Sequence, residues 1–376
     1  MLTNIRREDV NRIFRLFLER NHRTALDLLA EQYAIWSAGR RFRSLSWESI
    51  QDNPIERVEP ACVTFKEKLC MLAGYRNLDD VVRSMSILDL NTGQWEEHID
   101  LPGSLPQTHQ GVVIEADRYL YNLAGQLGIQ CSPAVAACFV LDLETRQWTT
   151  LPSLPAARYA PVTRLWNERI HVLAGSKEDR VTPAGEHWSL AVKDGKATEN
   201  RWREEPPIPK GGPHRSSAVV ANRLFVLAGQ WKDRPPIQGD PRYTCDWTAP
   251  EEIFYPDSFV LEPGRDWQRI ADMPIAVTHS EYATVVIDQS IVVLGGLMDK
   301  RTVSDLIQMY DTSKDQWTIV GRLPTRNKGC VGAYYQGWLY VIAGQKEVHR
   351  SNPTVGDVLK CGWRTRFSLN DNESTR

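Results

Sequence analysis

An all-β ring of six four-stranded blades, a β-propeller, is the fold this sequence predicts, and two observations predict it. One phrase recurs six times: LCMLAGY (69–75), LYNLAGQ (120–126), IHVLAGS (170–176), LFVLAGQ (224–230), IVVLGGL (291–297) and LYVIAGQ (339–345). Its first small residues, Ala73, Ala124, Ala174, Ala228, Gly295 and Ala343, stand 51, 50, 54, 67 and 48 residues apart, a period that denotes one supersecondary unit repeated. A tryptophan also keeps step: Trp95, Trp148, Trp202, Trp267 and Trp317 precede the next small pair by 29, 26, 26, 28 and 26 residues.

Residues 1–44 lie outside the repeat. Residues 1–45 hold nine Arg against five acids, a local charge of +4 in a chain of net charge −2. Val10, Ile13, Phe14 and Phe17, then Leu26, Leu29, Tyr33 and Trp36, recur at helical spacing, and Asn21-His22 interrupts them, so two amphipathic helices are expected. Their apolar stripe is expected to pack on the propeller flank; the other reading is a basic arm facing a protein partner or a membrane. No F-box or BTB resemblance is present.

The propeller is expected over 45–368. Each blade opens with an apolar run and a polar turn, as in CVTFKEKL, and continues through the small-Gly phrase. A third run (SILDL, FVLDL, QMYD) then leads to the tryptophan. No GxxxxGK[ST] occurs and no helix follows the glycines, so a phosphate loop is rejected. The small pair instead marks close backbone packing near the axis. Trp47 lies 26 residues before Ala73 and has no blade ahead of it, whereas Trp363 in CGWRTRFSL resembles the third-run Trp188 in EHWSLAV. Residues 45–51 are therefore expected to complete the last blade and satisfy its edge. A polar tail, 369–376, is expected to be disordered.

Composition excludes several classes. A net charge of −2 offers no bulk attraction to nucleic acid or anionic membrane. The seven Cys show neither CxxC nor metal-like spacing, so no zinc site, disulfide framework or cofactor is expected. A Cys131–Cys245 bridge between long loops would imply an oxidising compartment. No 18-residue apolar run and no signal-peptide core is found, which reads as a soluble, by default cytoplasmic, chain.

Beyond the repeat, SKEDRVTPAGEHWSLAVKDG (176–195) and WREEPPIPKGGPHR (202–215) resemble the plant-type kelch-repeat proteins of the galactose oxidase/kelch superfamily. LAGYRNLDDVVRSMSILD, GQLGIQCSPAVAACFVLD and RYAPVTRLW fit the same family, and the resemblance covers about residues 45–367. It implies a six-bladed kelch propeller. It also implies the secretory pathway, although an Arg-rich segment stands here where plant relatives carry a membrane anchor. The copper ligands of galactose oxidase, two His and two Tyr with one Tyr cross-linked to Cys, have no matching segments.

Strand alternation places the residues before each first strand and those after each small-Gly pair on one axial face. Candidate ligand-binding residues there are Glu59, His109, Gln110, Gln126, Arg158, Lys177, Arg215, Gln230, Lys328 and Gln345. Amides offer donors and acceptors to hydroxyl-rich or peptide ligands, and the basic excess favours an anionic group. His214, Glu281 and Tyr159 are the candidates for proton exchange, with Arg215 and Arg158 holding a carboxylate. The insertion 231–257 is a candidate lid over that face.

Two functions follow. One is a binding module recognising a polar or anionic small molecule, glycan or acidic peptide, with a possible protein partner on the N-terminal helices. The other is an enzyme of mutarotase or isomerase type acting on a sugar or sugar acid, as a bacterial sialic-acid mutarotase among six-bladed kelch proteins does.

Overall fold

The computed structural model describes residues 6–231, 254–298, 302–347 and 358–369. Six antiparallel sheets ring an axis. Blade 1 comprises Ala61–Phe65, Lys68–Leu72, Ser84–Asp89 and Gln94–Asp100 from the axis outwards, and the later blades repeat that order. Their inner strands are Gly111–Glu115, Val162–Trp166, Ser216–Val220, Thr284–Ile287 and Val331–Tyr335. Each inner strand neighbours the next around the ring, the last beside the first.

The ring closes on its own N-terminal strand. Glu48–Ile50 pairs antiparallel with Gly362–Arg366, with Ser49 opposite Trp363, and supplies the outer strand of blade 6. Trp47 confirms the register chemically. Its indole N–H donates to the carbonyl of Arg322 in blade 5 at 2.9 Å. Four other blades repeat this bond to the blade before: Trp95 to Gln51 at 3.0 Å, Trp202 to Pro152 at 2.8 Å, Trp267 to Pro206 and Trp317 to Ala271 both at 2.9 Å. Each staple joins a large apolar ring to a satisfied donor, the combination that lets tryptophan stand between two sheets.

The small-Gly pair turns the chain from the second strand onto the axial face. Both of its residues have positive φ: Ala124 at 52° and Gly125 at 92°, Ala174 at 55° and Gly175 at 80°. A Cβ on Gly125 would sit 2.6 Å from the Gln110 Cα and one on Gly175 would sit 2.6 Å from the Tyr159 carbonyl oxygen. The lead-in to the inner strand thus crosses directly over the glycine, the close packing expected from the repeat.

Two helices precede the propeller, α1 (Arg7–Leu18) and α2 (His22–Ala38). The docked face differs from the apolar stripe expected to dock. Ala34, Ile35 and Ala38 of α2 join Phe225, Ile291, Tyr310 and Trp317 of blades 4 and 5. Phe14, Phe17, Leu26, Leu29, Tyr33 and Trp36 are exposed. The docked face is held by polar side chains that periodicity counts as solvent-facing. Glu31, 0% exposed, accepts from Ser304 Oγ at 2.9 Å and from Arg326 at 3.1 Å, and Asp9 pairs with Arg322 at 3.2 Å.

Because removing one partner of a buried pair strands the other charge, Arg326→Ala should lower unfolding free energy by about 3–5 kcal/mol, measured by urea titration. Acid should also weaken the fold. The bonded pair His171 and His187 in blade 3 lie 2.8 Å apart, and burial first, then neighbouring positive groups, push His171 down to about 3; burial likewise takes His187 to about 4. The unfolded chain, with ordinary imidazoles near 6.5, binds protons that these folded rings refuse, so stability is full above that value and falls as pH drops from about 6.5 towards 4. Melting curves across that range should show the decline, and His171→Asn should flatten it.

Candidate functional site at the propeller axis

Each inner strand is entered through a residue in the left-handed region, with φ between 43° and 58°: Glu59, His109, Ala160, His214 and Gly329 stand two positions ahead of it, and His279 stands five ahead, with the 3-10 turn Glu281–Ala283 between. That kink aims side chains at the axis. Where the kinked residue is Ala160 or Gly329, the preceding Tyr159 or Lys328 reaches in instead. All six blades therefore contribute one polar side chain to a buried cluster: Glu59, His109, Tyr159, His214, His279 and Lys328.

The cluster is bonded across the ring. Glu59 accepts from His109 Nε2 at 2.6 Å and Lys328 Nζ at 3.1 Å, with His279 Nε2 at 3.6 Å. His109 Nδ1 meets Gln126 Oε1 at 2.9 Å. The rings of His214 and His279 stack at 4.0 Å and 12°. His214 Nδ1 donates to Glu281 Oε1 at 2.5 Å, which leaves Nε2 to accept from the Tyr159 hydroxyl at 3.1 Å. Arg180 lies over the Tyr159 ring, 4.6 Å from its centroid.

Burial alone would raise the Glu59 carboxyl, but Lys328, His279 and His109 outweigh it and hold the group well below the ordinary carboxylate value. Burial, reinforced by neighbouring His214, drives His279 well below its ordinary value, with Glu59 opposing. The carboxylate is thus held ionised by its basic neighbours, while burial and His214 favour the uncharged form of the His279 ring.

Tyr282 of blade 5 crosses the axis beneath this cluster. Its hydroxyl donates to the Gln110 carbonyl at 2.6 Å and accepts from the Val112 amide at 3.2 Å, both in the diametrically opposite blade 2. Below it a cavity of about 370 Å³ continues among the inner strands, lined by Glu281, Tyr282, Arg164, Cys62 and their neighbours. The axis is thus plugged at one end and hollow towards the other.

The sequence-predicted residues fall into three groups. Glu59, His109, Tyr159, His214, Lys328 and Gln126 meet at the plug, and Glu281 joins it from the cavity side. Gln230 accepts from Thr278 Oγ1 at 3.3 Å, and Gln345 bridges Lys328 through its backbone. Gln110 is buried, with both side-chain polar atoms lacking a hydrogen-bond partner. Arg158 and Arg215 point away from the axis. Arg158 lies over the Trp188 ring at 4.2 Å and pairs with Glu186 at 3.0 Å. Arg215 stacks on Tyr255 and donates to the carbonyls of Lys210 and Asp257, both at 2.6 Å. Both guanidinium groups are engaged within blades 3 and 4, although Nε and Nη2 of Arg158 and Nε of Arg215 make no hydrogen bond. Eleven of the thirteen predicted residues are buried; Lys177, with 47% of its side chain exposed, remains at the surface, and Glu281 is part-exposed.

Sequence reasoning missed Tyr282, Arg180 and Arg164. The first follows Glu281 directly, and its signal is an aromatic residue where other inner strands carry small or aliphatic ones. Cys245 and most of the 231–257 insertion lie outside the described residues. Among the described residues no group of three or more His, Cys, Asp and Glu is arranged to hold a metal, and no helix is long and apolar enough to cross a membrane.

Fold and axis together define a six-bladed propeller with a polar axial plug and kelch-type blades. A Kelch motif model matches residues 279–324. The chain is 36% identical over 331 residues to the Kelch repeat-containing protein At3g27220 of Arabidopsis thaliana, covering 86% of this chain and 77% of that protein. It belongs to the kelch-repeat family, whose propellers typically serve as protein-interaction modules. Kelch-like protein terF of Aspergillus terreus is 22% identical over 260 residues, with 67% of this chain and 52% of that one covered. Among solved structures, that titled "Structure of YjhT" superposes with a TM-score of 0.66 at 12% identity, over 85% of this chain and 98% of that one, a likeness of fold.

The plug makes a direct test of its own electrostatics possible. Glu59→Ala should leave Lys328 buried without its carboxylate and cost about 3–5 kcal/mol in urea unfolding. The double variant with Lys328→Met should recover part of that loss, giving a coupling energy above about 1 kcal/mol.

Proposed function

We propose that the chain is a recognition module that takes an acidic peptide segment of a protein partner on the axial face where the second strands end. The plug carries this reading: with the axial side chains bonded to one another, they form a rigid floor, and contact falls to the residues around it. Arg76, Lys177 and Trp231 follow the glycine pairs of blades 1, 3 and 4 and are exposed there. An exposed tryptophan on the same face as cations is the composition of an interface hot spot. Surface pairs such as Lys177–Glu186 at 3.1 Å are weak and give way to a better carboxylate. The exposed apolar stripe of α1 and α2 supports a second contact surface for a protein partner.

An enzyme acting on a sugar or sugar acid is the second reading, favoured by the bonded chain Tyr159–His214–Glu281, whose geometry suits proton relay. Burial of Tyr159 and His214 speaks against it.

An array of acidic and neutral peptides and neutral and acidic glycans separates these. Acidic peptides should bind wild type, and Trp231→Ala with Lys177→Glu should weaken them at least about tenfold. Equal binding by that variant would defeat the reading. Anomerisation of a sugar acid, followed by NMR and lost in His214→Asn, would replace it with the enzyme.

A further inference from the structure

Arg164 is a cation without an anion. It sits on the inner strand of blade 3 and lines the axial cavity of about 370 Å³ below Tyr282. Its guanidinium donates to the carbonyl of Thr163 at 2.9 Å and to that of Ser217 in blade 4. Those bonds occupy two of the five N–H donors a guanidinium carries. Part-buried, it has no carboxylate within ion-pair distance among the described residues, whereas Arg158, Arg326 and Lys328 each have one.

The groups around it do not neutralise it. The Cys62 thiol is pushed up to about 12 by burial, and burial likewise raises the Tyr282 phenol despite Arg164 nearby, so both stay protonated. Glu281 is the one carboxylate lining the cavity. One of its oxygens is engaged by His214, and it forms no ion pair with Arg164. The cavity thus presents a desolvated cation and, apart from it, a carboxylate with acceptor capacity to spare.

The inner strands all start at the plug and run away from it, so this cavity lies on the far side of Tyr282 from the peptide-binding face. Its rim carries exposed Thr64 and Val286 and part-exposed Tyr334, which opens it to solvent there. Its volume is at the small end of the range for ligand sites, enough for a compact metabolite and too small for a folded segment.

We propose that this cavity binds a small hydroxy-carboxylate, its carboxylate on Arg164 and a hydroxyl donating to Glu281. A carboxylate matches the remaining guanidinium donors in a charge-assisted, planar contact. A hydroxyl satisfies Glu281, which repels a second anionic group. The site stands independently of the peptide-binding reading, since it lies at the other end of the axis and uses neither Trp231 nor Lys177.

Isothermal titration of the full chain with D-glycerate, inorganic phosphate and glycerol tests it. Glycerate should bind saturably at one site and glycerol should not. Arg164→Gln keeps a donor for the Ser217 carbonyl but removes the charge, and should weaken glycerate at least about tenfold; Arg164→Lys should recover part of the loss. Glu281→Gln gives a second reading should the first variant misfold, and should weaken glycerate while sparing phosphate. Trp231→Ala with Lys177→Glu should leave glycerate affinity unchanged. The proposal is overturned by undiminished glycerate binding in Arg164→Gln, or by no saturable binding of any probe up to about 10 mM. Phosphate binding tighter than glycerate overturns the choice of a carboxylate.

Discussion

The structure depends on one bond repeated in five of the six blades: an indole N–H at the start of the outer strand, donated to a carbonyl of the blade before it. A propeller blade is a small twisted sheet with two apolar faces, and neither face is buried until a neighbour covers it. Tryptophan covers the face while its N–H fixes how the neighbour sits. Because the bond runs from a blade to the one before it, the first blade needs a predecessor. Gln51 provides it, as an acceptor contributed by the very segment that completes blade 6. Closure and blade packing are therefore one problem with one solution, and the strand Glu48–Ile50 takes part in both.

The repeat was legible because the constraints that create it are local and identical in every blade. A small residue and a glycine in the left-handed region, and a tryptophan at a fixed distance, can be read without knowing any contact. The surplus tryptophan at 47 and the missing outer strand after Trp363 made the closure legible too. The N-terminal helices were read correctly as helices, but their docked face was not. Apolar spacing pointed to Phe14, Leu29 and Trp36, whereas the buried face is anchored by Glu31 and Asp9 on arginines nearly 300 residues away. No periodicity records a partner so distant.

The axial residues show the same division. Their convergence follows from strand direction, and the sequence places Tyr159, His214 and Glu281 on one end of the axis. Their burial does not follow, since it depends on how far inward a left-handed entry aims each side chain. Arg158 and Arg215 show the limit. Both precede inner strands, as the plug residues do, yet the guanidinium of each finds carbonyls or a carboxylate in its own blade before it reaches the axis. Tyr282 matters more to the shape of the site than either, because a single phenol spanning blades 2 and 5 stands between the polar plug and the cavity.

The ring of left-handed entries also limits what evolution or an engineer can write there. At 59, 109, 160, 214, 279 and 329 the backbone excludes valine, isoleucine and threonine, whose branched Cβ is the most strained in that region. The usual recipe for replacing a buried charge cluster, small aliphatic side chains of matching volume, is therefore closed at these six positions. A propeller of this geometry can exchange one polar plug for another, or pass the inward role to the preceding residue as blades 3 and 6 have done, but its axis cannot be converted to a packed hydrocarbon core through these residues alone.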